Sequence, residues 1–308
     1  QEKFASIWRE HIPIVVKDVD RDFQTLWTPD AFSERFGEMK CEVEDCESGE
    51  VTMIKLKEFF SLFGKAQCPS YRSKKLKDWP PKNRFKELFP KLYQDFETAL
   101  PIPSYTTSSG VMNLASHYPE NEVAPDLGPK MYNALSTSHD DQHSGSTRLH
   151  LDLSDAVNIL MWASTRKDGQ RGYALWHIFA VEDAPLVRQL QREMGTTASG
   201  DPIHNQETYI TPTMLQELSA RHGVRPYTIR QGVGDAVFIP AGCAHQVSNQ
   251  ADCIKIACDF ISPESVPTCK RLAEEFRVQR LACGWPEDVI PFQSLLYYTW
   301  MSVDLICR

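Results

Sequence analysis

From residue 110 onward, short apolar runs alternate with turn residues: KMYNAL, RLHLDLSD, AVNILMWAS, YALWHIFA, PYTIRQ, DAVFIPAG, HQVSN and CIKIACDF. Short runs rich in β-branched and aromatic residues, punctuated in this way, predict an all-β sandwich or barrel. Helical spacing interrupts the pattern twice, near residues 184–194 and 212–223. Before residue 110 the apolar positions mostly recur at helical spacing. FASIWREHIPIVVKDV reads as a helix running into a short buried strand at 12–16, and 27–36 reads as a helix with Pro29 near its start. An acidic stretch, 41–49, reads as strand plus turn. Residues 56–63 carry a dense apolar helical face, and 85–100 reads as a helix interrupted around Pro90. Helices at 267–282 and about 290–306 close the chain.

No polar linker and no internal repeat divide the sequence. The expectation is one domain, 1–308, with a helical N-terminal part (about 1–109), a β core with insertions (about 110–265) and C-terminal helices (about 266–308). At 308 residues, 42% of them hydrophobic, a substantial core can form. The formal net charge of −8 argues against a nonspecific nucleic-acid binder and suits a basic partner such as a Lys/Arg-rich peptide. No apolar run reaches transmembrane length. The chain begins at Gln1, which points to a piece of something longer. Nine scattered cysteines without a CxxC pair fit a reducing compartment and free thiols. Zinc at the Cys41/Cys46 or Cys253/Cys258 spacing is the weaker reading.

The chemistry concentrates in HLDLSD. Strand alternation puts His150, Asp152 and Ser154 on one face and Leu151 and Leu153 on the other. A carboxylate pointing into a barrel interior is costly unless it is paired or bound to a metal. Two histidines and one carboxylate on one face make an open Fe(II) site. The second histidine is expected at His245, where GDAVFIPAGCAHQVSN bends at Pro240–Gly242 and begins a new strand. Each piece has a bland reading: Asp152 can orient His150 by a hydrogen bond, and His245 can be a satisfied turn histidine. His139 and His143 fall in a Ser/Asp-rich loop that reads as solvated, and His177 reads as packing or as support for the site.

With these residues in place the sequence resembles the JmjC domain of Fe(II)- and 2-oxoglutarate-dependent oxygenases. More narrowly it resembles the branch that demethylates lysine 9 of histone H3, to which hairless is related. The similar stretches are LKDWPP (76–81), NLAS (113–116), DLGPKMYNA (126–134), HLDLSDAVN (150–158), ALWHIF (174–179), DPIH (201–204), GDAVFIPAG (234–242) with HQV (245–247), and IKIACDFISPE (254–264). LKDWPP and DLGPKMYNA are the more specific, since no general iron site requires them. The resemblance implies a double-stranded β-helix (jelly-roll, cupin-like) core with flanking helices. It also implies iron ligands His150, Asp152 and His245, with Thr147 and Asn158 lining the 2-oxoglutarate pocket. Many JmjC enzymes take the cation for the distal 2-oxoglutarate carboxylate from the strand where this chain has Ala174. Lys255 is the substitute, with Lys130 as rival and a snorkelling strand-end lysine as the bland reading of Lys255.

The resemblance further implies a nuclear, chromatin-regulating dioxygenase. Molecular oxygen would be its co-substrate and the methylated histone H3 tail its partner, without direct nucleic-acid or membrane binding. An N-methyl group is hydroxylated and the product loses formaldehyde. No lone pair on nitrogen is needed, so pocket shape decides the methylation state, and the resemblance favours mono- and dimethyl lysine. The acidic segments 42–50 and 139–141 are candidates for histone contact or plain solvated faces. Two other readings stay open: a JmjC protein hydroxylase, which leaves a stable hydroxyl group, and a non-catalytic chromatin scaffold.

Overall fold

Twelve strands build two antiparallel sheets in the computed structural model, which describes residues 1–65, 73–80, 85–122, 124–137, 145–196, 200–283 and 290–307. In chain order they are β1 (Ile14–Val16), β2 (Lys40–Asp45), β3 (Val51–Lys55), β4 (Lys74–Trp79), β5 (Lys130–Ala134), β6 (Thr147–His150), β7 (Asp155–Ala163), β8 (Ala174–Ile178), β9 (Tyr227–Gln231), β10 (Ala236–Ile239), β11 (His245–Asn249) and β12 (Cys253–Phe260). The larger sheet runs β1-β10-β7-β12-β5-β4-β2-β3 and the smaller β6-β11-β8-β9. Together with the flanking helices they make the expected jelly-roll core.

Burial explains the strand patterns. β7 lies between β10 and β12, and its first seven residues are buried, so it reads as an unbroken apolar run and not as an alternation. β2 lies toward an edge and alternates, with Cys41 and Val43 inward and Lys40 and Glu42 outward. Helix Pro29–Phe36 starts where Thr28 Oγ1 accepts a hydrogen bond from Ala31 N, with Pro at the first turn. Helices Phe85–Leu88 and Pro90–Ala99 are separate, as the proline requires.

The part before residue 110 departs from its mainly helical expectation. Besides β1 and β2 it supplies β3 and β4, and β4 pairs with β5 to extend the large sheet. The stretch KKLKDW hid this strand because it is highly charged. Its inward positions, Leu76 and Trp79, are nonetheless almost fully buried. The N-terminal helix Glu2–Trp8 also joins the main core, with Phe4 and Trp8 packing against Phe238 and Phe260. A second core, containing Leu149, Leu151 and Leu153, joins the small sheet to Val187 and Leu272 of the later helices. Among the described residues no helix is long and apolar enough to cross a membrane.

One buried carboxylate ties together the ends of three strands of the larger sheet, β7, β10 and β12. Asp155, fully buried at the start of β7, accepts from Ala241 N (2.9 Å), Ser262 N (3.0 Å), Ser262 Oγ (2.6 Å) and Ser265 Oγ (2.6 Å). Burial pushes its pKa up and these four donors pull it back down. Beside this clamp, Gly242 N donates to the carbonyl of Asp152 at 3.0 Å. The clamp therefore holds the bend at 240–244 against the end of β6. Asp155→Ala leaves these donors without their acceptor and should cost about 3 kcal/mol of stability, read by urea denaturation. A change under about 0.5 kcal/mol, the range of ordinary surface substitutions, would show that the clamp is not structural.

Candidate functional site

Antiparallel pairing of β6 and β11 sets His150 directly opposite His245. Their rings lie 4.2 Å apart between centroids. β6 ends at His150, so Asp152 sits in the connection to β7 and not on a strand as the alternation implied. It still turns to the same side: Asp152 Oδ1 is 3.9 Å from His150 Nε2, and Oδ2 is 3.6 Å from His245 Nε2. The three donor atoms all lie within 4.8 Å of one another. Ser154 does not join them; it is buried.

The donor set fits a divalent transition metal. Each Nδ1 lies 2.9 Å from a backbone carbonyl, His150 from Arg148 and His245 from Cys243. A carbonyl only accepts, so each Nδ1 carries the proton and each Nε2 keeps its lone pair toward Asp152. Burial holds the His245 pKa down at about 4, with help from the neighbouring His150. The ring is therefore neutral at pH 7, as a metal ligand must be. Trp176 stacks on His245 at 5.9 Å, and its indole Nε1 donates to Gln231 Oε1 at 2.8 Å. Gln231 Nε2 in turn donates to the carbonyl of Asn158 at 2.9 Å. Nothing in the sequence pattern marked Trp176 and Gln231 as supports for a ligand.

The other candidates share this space. Thr147, Asn158 and Lys255 line the same cavity as His150, Asp152 and His245. Lys255 is 2% exposed, and its Nζ donates to Asn249 Oδ1 at 2.9 Å. It follows a β-bulge between β12 and β7, where the register shifts between Ile254 and Lys255. Asn249 on β11 pairs with Ala174 on β8. The lysine thus reaches toward the strand pair that carries alanine where a cation was sought. Burial lowers its pKa to about 8. Lys130, the rival, is engaged elsewhere, 2.9 Å from Asp126 Oδ2 and 3.2 Å from the carbonyl of Pro80.

Other expectations resolve differently. His177 hydrogen-bonds Gln246 at 3.3 Å and does not line the cavity of the triad. His139, His143 and the acidic segment 139–141 lie outside the described residues. The segment 42–50 is mostly a β-hairpin arm with its turn, and Glu44 pairs with Lys75 at 2.9 Å. Among the described residues no cysteine joins a cluster of metal donors. Asp201, His204 and Glu275 do converge, but the guanidinium of Arg188 sits among them, 2.7 Å from Asp201 Oδ2 and hydrogen-bonded to Glu275. A cation already fills that cluster, which makes it a clasp between helices Ala184–Glu193 and Val266–Cys283. Lys77, Asp78, Tyr132 and Asp259 also line the cavity of the triad, and sequence reasoning assigned none of them a role there.

Comparison with known proteins agrees with this geometry. The family description "JmjC domain, hydroxylase" matches residues 142–260. Those residues are similar to a JmjC domain. The matched segment holds Thr147, His150, Asp152, Asn158, His245 and Lys255. Over 96% of its length the chain is 34% identical to lysine-specific demethylase 3A of Mus musculus and 36% identical to lysine-specific demethylase 3 of Drosophila melanogaster. It is 31% identical, over the same share, to the probable JmjC domain-containing histone demethylation protein 2C of Homo sapiens. The chain spans 26%, 40% and 13% of those three relatives, so the similarity covers one region of each.

Proposed function

We propose that this chain is the catalytic part of an Fe(II)- and 2-oxoglutarate-dependent oxygenase that removes methyl groups from mono- and dimethylated lysine 9 of histone H3 in the nucleus. One observation carries the reading. Two outward-facing Nε2 atoms and one carboxylate share a cavity with a buried lysine, in a chain similar to proteins named lysine-specific demethylases. In this reading residues 1–308 work as one unit, since Phe4 and Trp8 pack against Phe238 and Phe260 of the β core. The net charge of −8 suits a basic histone tail.

His150, Asp152 and His245 would hold the metal, a donor set suited to Fe(II). Iron held there would supply the oxidation of an N-methyl C–H bond by oxygen and 2-oxoglutarate, with succinate, carbon dioxide and formaldehyde as products. The chain's own residues supply orientation. The carbonyls of Arg148 and Cys243 fix the imidazole tautomers, and Trp176 braces His245. Thr147 and Asn158 offer polar side chains to 2-oxoglutarate, and Lys255 offers a positive charge to its distal carboxylate.

A protein hydroxylase remains the second reading, favoured by the wording of the domain description. Mass spectrometry of H3 tail peptides dimethylated at lysine 4, 9, 27 or 36, incubated with Fe(II), 2-oxoglutarate and ascorbate, separates the two. Demethylation predicts loss of 14 Da steps (the mass of CH2) from the lysine 9 peptide, formaldehyde in equal amount, and loss of both on chelation of the metal. A stable gain of oxygen without formaldehyde supports the hydroxylase. Succinate absent under every condition would refute both.

A further inference from the structure

A second cavity opens beside the one that holds the triad. Lys77, Tyr132, Thr147, Gln206 and Lys255 line both, so the two meet at the lysine proposed for the distal carboxylate of 2-oxoglutarate. Away from the metal donors the second cavity runs between β6 of the small sheet and β2, β4 and β5 of the large one. Its charge is unlike that of the molecule as a whole. Four cations, Lys75, Lys77, Arg148 and Lys255, line it with one carboxylate, Glu44, in a chain of net charge −8. Glu44 is engaged by Lys75, 2.9 Å away. Among the described residues no carboxylate pairs with Arg148 or Lys255. Arg148 Nη2 donates to the carbonyl of Cys46 at 3.2 Å, and Lys255 Nζ to Asn249 Oδ1 at 2.9 Å.

The backbone puts Lys77 where the two cavities join. Leu76 pairs with Asn133 but Trp79 pairs with Met131, so β4 carries one extra residue, a β-bulge. Consecutive residues of a regular strand face opposite ways. Through the bulge Lys77 and Asp78 both reach the triad cavity, and of the two only Lys77 also lines the second. The rim therefore changes sign along its length. Asp78 and Asp152, with side chains 51% and 38% exposed, mark the triad end. Lys77, 42% exposed, and the half-buried Arg148 mark the other.

We propose that the second cavity is the entrance for 2-oxoglutarate, where Lys75, Lys77 and Arg148 draw the dianion in and pass it to Lys255, and the route by which succinate leaves. This rests on the 2-oxoglutarate reading above and adds to it the path of the co-substrate. 2-Oxoglutarate carries two negative charges at neutral pH, so each cation at the mouth attracts it twice as strongly as a single charge. Approach past Asp78 and Asp152 is opposed by the same rule. A cleft lined by one sign of charge between low-dielectric walls raises the capture rate of the opposite ion. The cations then divide the work. A rim charge acts on the association rate and its salt dependence, whereas a buried charge in direct contact acts on the dissociation rate. Lys77 and Arg148 are of the first kind, and Lys255, 2% exposed, is of the second. The bond from Arg148 to Cys46 also ties β6 to the end of β2. A mere strut of this kind is indifferent to salt and to the sign of a small ligand's charge.

Stopped-flow fluorescence of the Mn(II)-loaded protein mixed with 2-oxoglutarate reads both rates without turnover, since Trp176 lines the triad cavity. At about 0.01 M salt, where charges act over about 30 Å, Arg148→Glu should lower the association rate constant by about tenfold and leave the dissociation rate within about twofold. At about 1 M salt, where that reach is about 3 Å, the difference from wild type should shrink below about twofold. Arg148→Lys, which keeps the charge, should restore the low-salt rate. Arg148→Gln, which keeps a donor for the Cys46 carbonyl, should not. Lys77→Glu, at an exposed position, should show the same salt-dependent loss and carries the test if Arg148→Glu does not fold. Mn(II) affinity, followed by electron paramagnetic resonance, should be unchanged, because these substitutions leave the Arg148 carbonyl on His150 Nδ1. An association rate unmoved at low salt, or a loss of equal size at both salts, overturns the proposal and makes Arg148 a strut. Lys255→Met should instead raise the dissociation rate. If it does not, while Arg148→Glu still slows association, the role given to Lys255 falls and the entrance stands. Failure of the Mn(II)-loaded wild type to bind 2-oxoglutarate overturns both.

Discussion

Asp152→Ala should leave the protein folded and inactive, with formaldehyde release reduced by at least about a thousandfold, or about 4 kcal/mol of barrier. Stability should hardly change, because Asp152 is 38% exposed and its nearest charged partners are two imidazole Nε2 atoms 3.6 and 3.9 Å away. Metal binding should collapse with activity. Mn(II) binding followed by electron paramagnetic resonance reads this independently of turnover, and wild-type protein should bind one equivalent that the variant does not retain. Asp152→Glu should not rescue it. An added methylene moves the carboxylate, while the two Nδ1 hydrogen bonds keep both imidazoles in place. Retained metal with lost activity would mean that Asp152 is not a ligand. Retained activity would reduce the cluster to the bland reading, an aspartate orienting a histidine.

Much of this centre was legible because strand alternation and register are simple rules. HLDLSD put His150 and Asp152 on one side, although Asp152 proved to lie just beyond the strand. The bend in GDAVFIPAGCAH brought His245 into line with His150. What the sequence concealed depends on pairings far apart in the chain. β4 was hidden because four of its six residues are charged, and period-2 burial cannot be read from KKLKDW without knowing that β5 lies beside it. With β4 went Asp78, whose place in the cavity depends on a one-residue bulge that leaves no local signature. Tyr132 looked like one more apolar strand residue until the sheet set it beside Asp78 and Asp259. Trp176 and Gln231 support His245 and Asn158 from strands that merely read as core. Chemistry carried by one strand was visible; chemistry assembled across three was not. The specificity of LKDWPP and DLGPKMYNA was the one clue that those segments had a task beyond packing.

Lys255→Met should raise the KM for 2-oxoglutarate by about a hundredfold, the scale of losing the charged partner of a buried carboxylate. The KM for peptide should move little. The same substitution should keep or increase the stability of the protein without co-substrate. A buried ammonium is costly to desolvate, and replacing a buried charge by an apolar side chain of similar length is often neutral or stabilising. Only a lysine kept for a ligand shows this opposition between stability and binding. A structural lysine, kept to satisfy Asn249, would lose stability on removal and leave the KM unchanged. The pH dependence sharpens the contrast. Burial brings the folded pKa to about 8, below the value near 10.4 of a free lysine. Between these two values the unfolded chain binds the extra proton and the folded one does not, so stability rises with pH across that window. On the proposed role of Lys255, 2-oxoglutarate binds the protonated amine, so its affinity should fall as pH rises through about 8, in the window where stability is rising. Both slopes should vanish in Lys255→Met. Lys130→Met should leave them intact, since Lys130 is committed to Asp126 and the Pro80 carbonyl. If Lys130→Met, and not Lys255→Met, raises the KM for 2-oxoglutarate, then the cation comes from β5, and Lys255 is a buried partner of Asn249 alone.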